Sequence, residues 1–94
     1  MVKLPVYKGY TYDFRCQEIR RFELDEPAEI IPFESKRGIA MLDEFFDADT
    51  AIDEFDRYDE ECQANGYPRP RLPKWFVDHR RAYIASKREA DPQH

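Results

Sequence analysis

The first third of the chain alternates apolar and polar positions with the period of two that is typical of a half-buried β-strand. In the segment GYTYDFRC, residues 9–16, the apolar positions are Tyr10, Tyr12, Phe14 and Cys16. The alternation slips near Ile19 and resumes at Phe22 and Leu24. Such a slip indicates a β-bulge or a break into two short strands.

A second extended segment, EIIPF at residues 29–33, is the natural partner of the first. Pro27 lies in the intervening segment LDEPAE and predicts a turn there. Pro32 has no N–H to donate to a strand ladder, so its strand is expected at the edge of a sheet. These segments together predict an N-terminal antiparallel β-hairpin of about two or three short strands between residues 7 and 33.

Helical spacing of apolar residues begins after the hairpin. Ser35 is placed to accept a backbone N–H at the start of a first helix, residues 36–46. The apolar face of this helix is expected to consist of Ile39, Leu42 and Phe46. A second helix is predicted over residues 49–64, and Gly66 suits the left-handed position that ends it. The apolar stripe of the second helix consists of Ile52, Phe55, Tyr58 and Cys62.

A third helix is predicted over residues 73–89, with Pro73 in its first turn, where a missing N–H breaks no hydrogen bond. The face expected in the core consists of Trp75, Phe76, His79, Ala82 and Tyr83. Val77 and Ile84 point to the other side. A helix with apolar side chains on both sides is sandwiched or makes an external contact, so dimerisation through Val77 and Ile84 is one open interpretation.

The predicted fold class is therefore α+β, a small domain over residues 1–94 in which three helices follow the hairpin. A length of 94 residues fits one domain. Seven Phe, six Tyr and one Trp supply large rings for a core. The rings expected to be largely buried include Phe14, Phe46, Phe55 and Trp75.

Two features concern location. The N-terminal segment lacks the apolar stretch of a signal peptide, and no apolar run approaches the roughly 20 residues that cross a bilayer. Cys16 and Cys62 belong to no close cysteine cluster and are expected to be free, buried thiols. These features favour a cytoplasmic location and a bacterial or phage-encoded source.

The most unusual stretch is residues 43–61, which holds ten carboxylates and one arginine, a local charge of minus nine. A helical turn of 100° per residue places several of these acids on a narrow arc. The candidate partner-binding surface consists of Asp49, Asp53, Asp56, Glu60 and Glu61. Like charges four residues apart are unfavourable, as are acids near the C-terminal end of a helix. The fold or a partner must offset this cost.

Two interpretations of the acidic stretch stay open. Residues 69–88 hold seven basic side chains and one acidic side chain, a local charge of plus six. Two successive helices of opposite charge can pack antiparallel and neutralise each other. Alternatively, the acids stay available and dock onto a basic surface of a protein partner. By analogy of composition, small acidic phage proteins imitate phosphates and block the basic cleft of a nuclease.

Metal binding and catalysis find little support in the residue pattern. A calcium loop that starts at Asp47 needs glycine at its sixth position, where Ile52 stands, and no His or Cys lies near these acids before Cys62. Ser35 is a predicted cap, His79 lies on an apolar helix face, and the sequence has no glycine-rich phosphate loop. We therefore expect no enzyme activity, no metal and no cofactor.

The alternative function is a regulatory nucleic-acid-binding protein that uses the basic C-terminal helix and the segment before it. Its basic surface would consist of Arg69, Arg71, Arg80, Arg81 and Arg88. Basic residues interleaved with aromatic rings can pair with phosphates and stack on bases, but a net charge of −5 opposes general nucleic-acid binding. The segment PRPRLP, residues 68–73, is interpreted as a stiff connector. The sequence favours a non-enzymatic, acidic, protein-binding or inhibitory module whose partner has a basic surface.

Overall fold

Four short strands and three helices make up residues 2–90, the part of the chain that the computed structural model describes. The strands are β1 (Val6–Tyr7), β2 (Tyr10–Asp13), β3 (Glu18–Glu23) and β4 (Glu26–Pro32), and they form one antiparallel sheet in that order. The helices are α1 (Lys36–Asp47), α2 (Asp49–Ala64) and α3 (Lys74–Ala90). The α+β class is confirmed, with four strands instead of two or three. None of these three helices combines the length and apolarity needed to cross a membrane.

Both outer hairpins close with two-residue turns, Lys8–Gly9 and Leu24–Asp25, in which all four residues have positive φ. Tight hairpins favour this left-handed backbone because its twist matches that of the flanking strands. The turn expected at Pro27 therefore comes earlier, and Pro27 belongs to β4. Leu24 is 97% exposed at the turn, and Phe22 is also exposed. The expectation that both continue a half-buried alternation is wrong.

The predicted break in the alternation is a turn that begins where β2 ends, at Asp13. The Oδ1 atom of Asp13 accepts hydrogen bonds from the backbone N–H groups of Arg15 and Cys16, both at 3.0 Å. Side-chain hydrogen bonds of this kind satisfy backbone N–H groups that would otherwise pair with a neighbouring strand, so they favour a turn over continuation of the strand. Cys16 consequently lies exposed, so the expectation of two buried thiols is wrong for Cys16. Cys62 is buried, and both cysteines are free.

β4 lies at the edge of the sheet, as Pro32 predicted. Its register against β3 shifts between Arg21 and Phe22, where β4 contains an extra residue and forms a β-bulge. Pro27 and Pro32 both lack an N–H group. At these two positions β4 therefore has no donor to offer another strand.

The core is built from the sheet and the helices together and is rich in aromatic rings. Its buried apolar residues are Tyr12, Phe14, Ile19, Ile31, Phe33, Leu42, Phe45, Ala51, Tyr58, Cys62 and Phe76. The ring centroid of Phe14 lies 5.1 to 6.2 Å from those of four other phenylalanines. The expected burial is confirmed for Phe14. Phe46, Phe55 and Trp75 are partly buried and pack against the margin of this cluster.

α1 turns a different face to the core from the one that its apolar spacing predicts. Leu42 and Phe45 are fully buried, whereas Ile39 and Phe46 are half-buried. The buried stripe runs from Gly38 through Leu42 to Phe45. The predicted face is correct only at Leu42, because a count of apolar residues gives no weight to a glycine at the point of contact.

Gly38 marks a close approach between α1 and the end of β4. Ser35 caps the helix as predicted, and its Oγ accepts a hydrogen bond of 3.0 Å from the backbone N–H of Gly38. A Cβ atom added at Gly38 would lie 2.1 Å from the carbonyl oxygen of Pro32 and 2.9 Å from that of Phe33. Backbone atoms cannot move aside as a flexible side chain can, so only glycine allows this packing.

We expect Gly38→Ala to lower the free energy of unfolding by about 2 to 3 kcal/mol, because it overpacks the contact between helix and strand. Alanine at an ordinary helix position has the opposite effect, a gain of about 0.5 to 1 kcal/mol over glycine. Urea denaturation followed by circular dichroism measures the difference.

The control variant is Gly66→Ala. Gly66 holds the left-handed position predicted for it, with φ of 76°, and no atom lies within 4 Å of its added Cβ. Its cost should be limited to the backbone strain of about 1 kcal/mol. A Gly38→Ala protein that is as stable as the unmodified chain would contradict the close approach.

Candidate functional site

The outer face of α2 carries four carboxylates, here called the acidic row: Asp49, Asp53, Asp56 and Glu60. At 100° per residue they fall within about 60° of one another. The opposite face of the helix is buried and holds Ala51, Tyr58 and Cys62. All four carboxylates are exposed, and within the described part of the chain none forms an ion pair or accepts a side-chain hydrogen bond.

The basic helix α3 neutralises the beginning of the acidic stretch, which lies on α1. Arg80 donates hydrogen bonds to Asp43 at 3.1 Å and to Asp47 at 2.6 Å. His79 contacts the other oxygen of Asp43 at 2.7 Å, and the Tyr83 hydroxyl donates to Asp47 at 3.1 Å. These five residues form what we call the α1–α3 network. Neutralisation by the basic helix therefore applies to Asp43 and Asp47 and leaves out the acidic row.

The α1–α3 network is partly buried, which makes its pairing important. Asp43 is 7% exposed, and the side chain of Arg80 is 17% exposed. The hydrogen bond from Arg80 holds the pKa of Asp47 below its usual range, against the opposing effect of partial burial. Burial lowers the pKa of Arg80, but hydrogen bonds to Asp47 and Asp43 outweigh burial and leave it raised. Charge-assisted hydrogen bonds of this kind hold α3 against α1.

Arg57 forms a second set of contacts, on the flank of the acidic row. Its guanidinium donates to Glu54 at 3.0 Å and to Glu61 at 2.7 Å on the same helix. It also donates to the backbone carbonyl of Lys3 at 3.0 Å, and the backbone N–H of Lys3 donates to Glu61 at 3.2 Å. These contacts tie α2 to the N-terminal segment. Glu61 is consequently half-buried and internally bonded, apart from the four acids of the row.

The five arginines of the alternative basic surface differ in their surroundings. Arg80 belongs to the α1–α3 network, and Arg69 binds Asp59 through two hydrogen bonds of 3.0 and 2.7 Å. The three that are exposed and form no ion pair with a described residue are Arg71, Arg81 and Arg88. Two of the five are thus engaged by carboxylates, and the other three are divided between the linker and α3.

Four further side chains, Val77 and Ile84 of the possible dimer contact and the potentially reactive Cys62 and His79, lie in different surroundings. Val77 is half-buried and Ile84 is exposed on α3. Cys62 lies in the core beside Tyr58, whereas His79 contacts Asp43. No hydrogen bond joins the Cys62 thiol to the His79 ring among the described residues. The same residues contain no group of three His, Cys, Asp or Glu side chains that could hold a metal ion.

A cavity of about 470 Å³ lies between the N-terminal segment, the turn after β2, α2 and the linker to α3. Both cysteines contribute to its walls, with Asp13, Arg15 and Tyr58. An open groove of about 870 Å³ adjoins it and shares Arg15. No motif in the sequence predicts this site, because its residues come from four separate segments between positions 2 and 71 and no fixed spacing connects them.

Comparisons of the chain with protein-family models, with curated proteins and with solved structures found no match.

We expect the α1–α3 network to make the free energy of unfolding depend on pH in the acidic range. The folded pKa of Asp47 lies below its unfolded value, so the network stabilises the fold above the unfolded pKa of about 3.9 and loses its effect as pH falls through the folded pKa. Asp47→Asn should therefore cost about 1 kcal/mol of unfolding free energy at pH 7. The difference should shrink as pH falls below about 4. Thermal unfolding at several pH values measures it.

Asp53→Asn is the matched control, since Asp53 belongs to the acidic row and no described residue pairs with it. Its unfolding free energy at pH 7 should stay within about 0.5 kcal/mol of the unmodified protein. An Asp47→Asn protein that behaves like this control at pH 7 would show that the α1–α3 network contributes nothing to stability.

Proposed function

We propose that the protein is a non-enzymatic binding module that docks the acidic row of α2 onto a basic surface of a partner protein. The observation that supports this proposal is the distribution of ion pairs. The basic side chains of α3 and the linker that form ion pairs across the fold reach Asp43, Asp47 and Asp59, while the four acids on the outer face of α2 stay exposed and unpaired among the described residues.

The acidic row carries local costs, although Asp49 itself lies in the first turn of α2, where the helix dipole favours an acid. Asp49 and Asp53 are four residues apart, and so are Asp56 and Glu60. Like charges at this spacing destabilise a helix by a few tenths of a kcal/mol for each pair. Glu60 also lies in the last turns of α2, where the helix dipole disfavours a negative charge. A basic partner would remove both costs on binding.

The helix that carries the row is held rigidly. Its inner face is buried through Ala51, Tyr58 and Cys62, and Arg57 ties it to the N-terminal segment. At 1.5 Å per residue, the row extends about 16 Å along the helix axis. A rigid line of charge of this length binds a complementary surface with little loss of conformational entropy. It also speeds diffusional encounter with a positive cleft.

A basic cleft that normally holds a nucleic-acid backbone would suit this surface, because carboxylates on the helix would occupy the positions of phosphates. An inhibitory role follows directly from such docking, since the partner could not hold its own ligand at the same time. We propose this as the form that the function takes.

The alternative, nucleic-acid binding through Arg71, Arg81 and Arg88, is less well supported. These three arginines have no described ion-pair partner, but only Arg81 and Arg88 share an element, α3, while Arg71 lies in the linker. The whole chain also has a net charge of −5. Binding of a DNA oligonucleotide at physiological salt, weakened by Arg71→Gln together with Arg81→Gln, would favour this alternative over the proposal.

The proposal is tested by reversing charge within the acidic row. The variant Asp53→Lys with Asp56→Lys is compared with the control Glu26→Lys with Glu34→Lys, whose glutamates are likewise exposed and unpaired among the described residues. Each variant changes the net charge by plus four, from −5 to −1. Proteins that bind to the immobilised, unmodified chain are identified and purified. Their dissociation constants are then measured with the unmodified chain and with each variant at two salt concentrations.

We expect the retained protein to have a basic surface and to bind more weakly as salt rises. The acidic-row variant should weaken binding at least about tenfold, and the control variant less than about threefold. Both variants should stay within about 1 kcal/mol of the unmodified stability. Equal affinities of the two variants would rule out docking through the acidic row.

A further inference from the structure

The cavity beside α2 and the groove that adjoins it form one concave surface, independent of the acidic row. The cavity is lined by the N-terminal segment, the turn after β2, α2 and the start of the linker. The groove continues from Arg15 and Pro68 along the linker, over the rings of Phe14 and Phe55. Pockets of several hundred Å³ that combine apolar walls with a few convergent polar groups are the usual places for small ligands.

This surface concentrates positive charge in a chain that is acidic as a whole. Its lining includes Arg15, Arg69 and Arg71. Arg69 is satisfied by Asp59, but Arg15 and Arg71 are exposed and form no ion pair with any described residue. The other carboxylate of the lining, Asp13, is likewise satisfied, by Arg20 at 2.9 Å. The lining therefore presents two uncompensated guanidinium groups.

Tyr58 adds a hydrogen-bond donor inside the cavity. Its residue is 2% exposed, yet it contributes to the cavity wall. Burial, with the neighbouring Cys62 thiol, raises the pKa of Tyr58 to about 12, so the hydroxyl keeps its proton at neutral pH. A thiol is a weak acceptor. Within the described part of the chain, the hydrogen-bond partner of this hydroxyl is the Cys62 thiol, which a stronger acceptor such as an anion would replace.

The remaining wall of the cavity is apolar and includes Val2, Leu4 and Pro68. The hydrogen-bond donors Arg15 and Tyr58 and the apolar side chains thus line the same cavity. The carboxylate in its wall, Asp13, is already paired with Arg20. We infer that this concave surface binds a small oxyanion, a carboxylate or a phosphate, that carries a flat apolar group. Arg15 pairs with the anion, Tyr58 donates a hydrogen bond to it, and the apolar walls hold the rest of the ligand.

The surrounding charge limits the ligand to a small one. The acidic row lies on the same helix as Tyr58, and the net charge of the chain is −5. A long polyanion would extend into this negative field, which acts over a Debye length of about 8 Å at physiological salt. A ligand with one charged group fits within the lining and avoids the repulsion.

Nuclear magnetic resonance titration of the full ¹⁵N-labelled chain tests the inference. The probes are benzoate, phenyl phosphate and the uncharged benzyl alcohol. We expect the two anions to shift the amide signals of Cys16, Tyr58 and Cys62 with dissociation constants on the order of 1 mM, as suits such small ligands. Benzyl alcohol should bind at least about fivefold more weakly, because it lacks the charge that pairs with Arg15.

Two variants separate the site from general charge effects. Arg15→Gln should weaken binding of the anions by about fivefold to tenfold. Arg81→Gln removes another exposed arginine, on α3 and outside the lining of the cavity and groove, and should leave binding unchanged. Because both side chains are exposed, both variants should keep the spectrum of the folded protein.

The relative affinities identify the ligand chemistry. Tighter binding of benzoate indicates a carboxylate ligand, and tighter binding of phenyl phosphate indicates a phosphate ligand. The inference is overturned if neither anion shifts these signals up to about 20 mM. It is also overturned if benzyl alcohol binds as well as the anions, or if Arg15→Gln and Arg81→Gln have equal effects.

Discussion

The guanidinium of Arg80, shared between Asp43 and Asp47, is the interaction on which the arrangement of charges depends. Asp43 is almost fully buried, and an unpaired carboxylate in that position would be strongly destabilising. α3 supplies the partner, since Arg80 donates a hydrogen bond to Asp43 at 3.1 Å. Phe76, one turn earlier on α3, is fully buried in the same core. Hydrophobic contact and ion pair together fix where α3 lies.

This placement has a consequence for α2. Because Arg80 and Lys87 reach the carboxylates of α1, they are not available to the outer face of α2. The other arginines near α2, Arg57 and Arg69, pair with acids on the flanks of that helix. The acidic row consists of the carboxylates of α2 that have no ion-pair partner among the described residues once these pairs have formed. The proposal of a docking surface follows from this remainder more than from the number of acids in the sequence.

Local signals in the sequence predicted the features that depend on neighbouring residues. The cap at Ser35, the left-handed Gly66 and the edge position of Pro32 each follow from the chemistry of one residue and its chain neighbours. The buried face of α1 could not be predicted in this way, because Gly38 lies on it only through its close contact with the end of β4, which is distant from local signals in the helix. The exposure of Leu24 was missed for a similar reason, since Leu is a poor indicator of a left-handed turn.

The candidate sites divide in the same way. The periodicity of α2 was enough to place Asp49, Asp53, Asp56 and Glu60 on one arc. It was not enough to separate Glu61 from them, because the contact of Glu61 with Lys3 joins residues 58 positions apart. The cavity beside Tyr58 was beyond sequence reasoning altogether, since it exists only where four segments meet.

Double-mutant cycles on the free energy of unfolding test most directly which carboxylates the basic helix neutralises. One cycle combines Arg80→Gln with Asp47→Asn, and the other combines Arg80→Gln with Asp53→Asn. We predict a coupling energy of about 1 kcal/mol between Arg80 and Asp47, and a coupling within about 0.3 kcal/mol of zero between Arg80 and Asp53. A coupling to Asp53 as large as that to Asp47 would mean that the acidic row is neutralised inside the molecule, which contradicts the account.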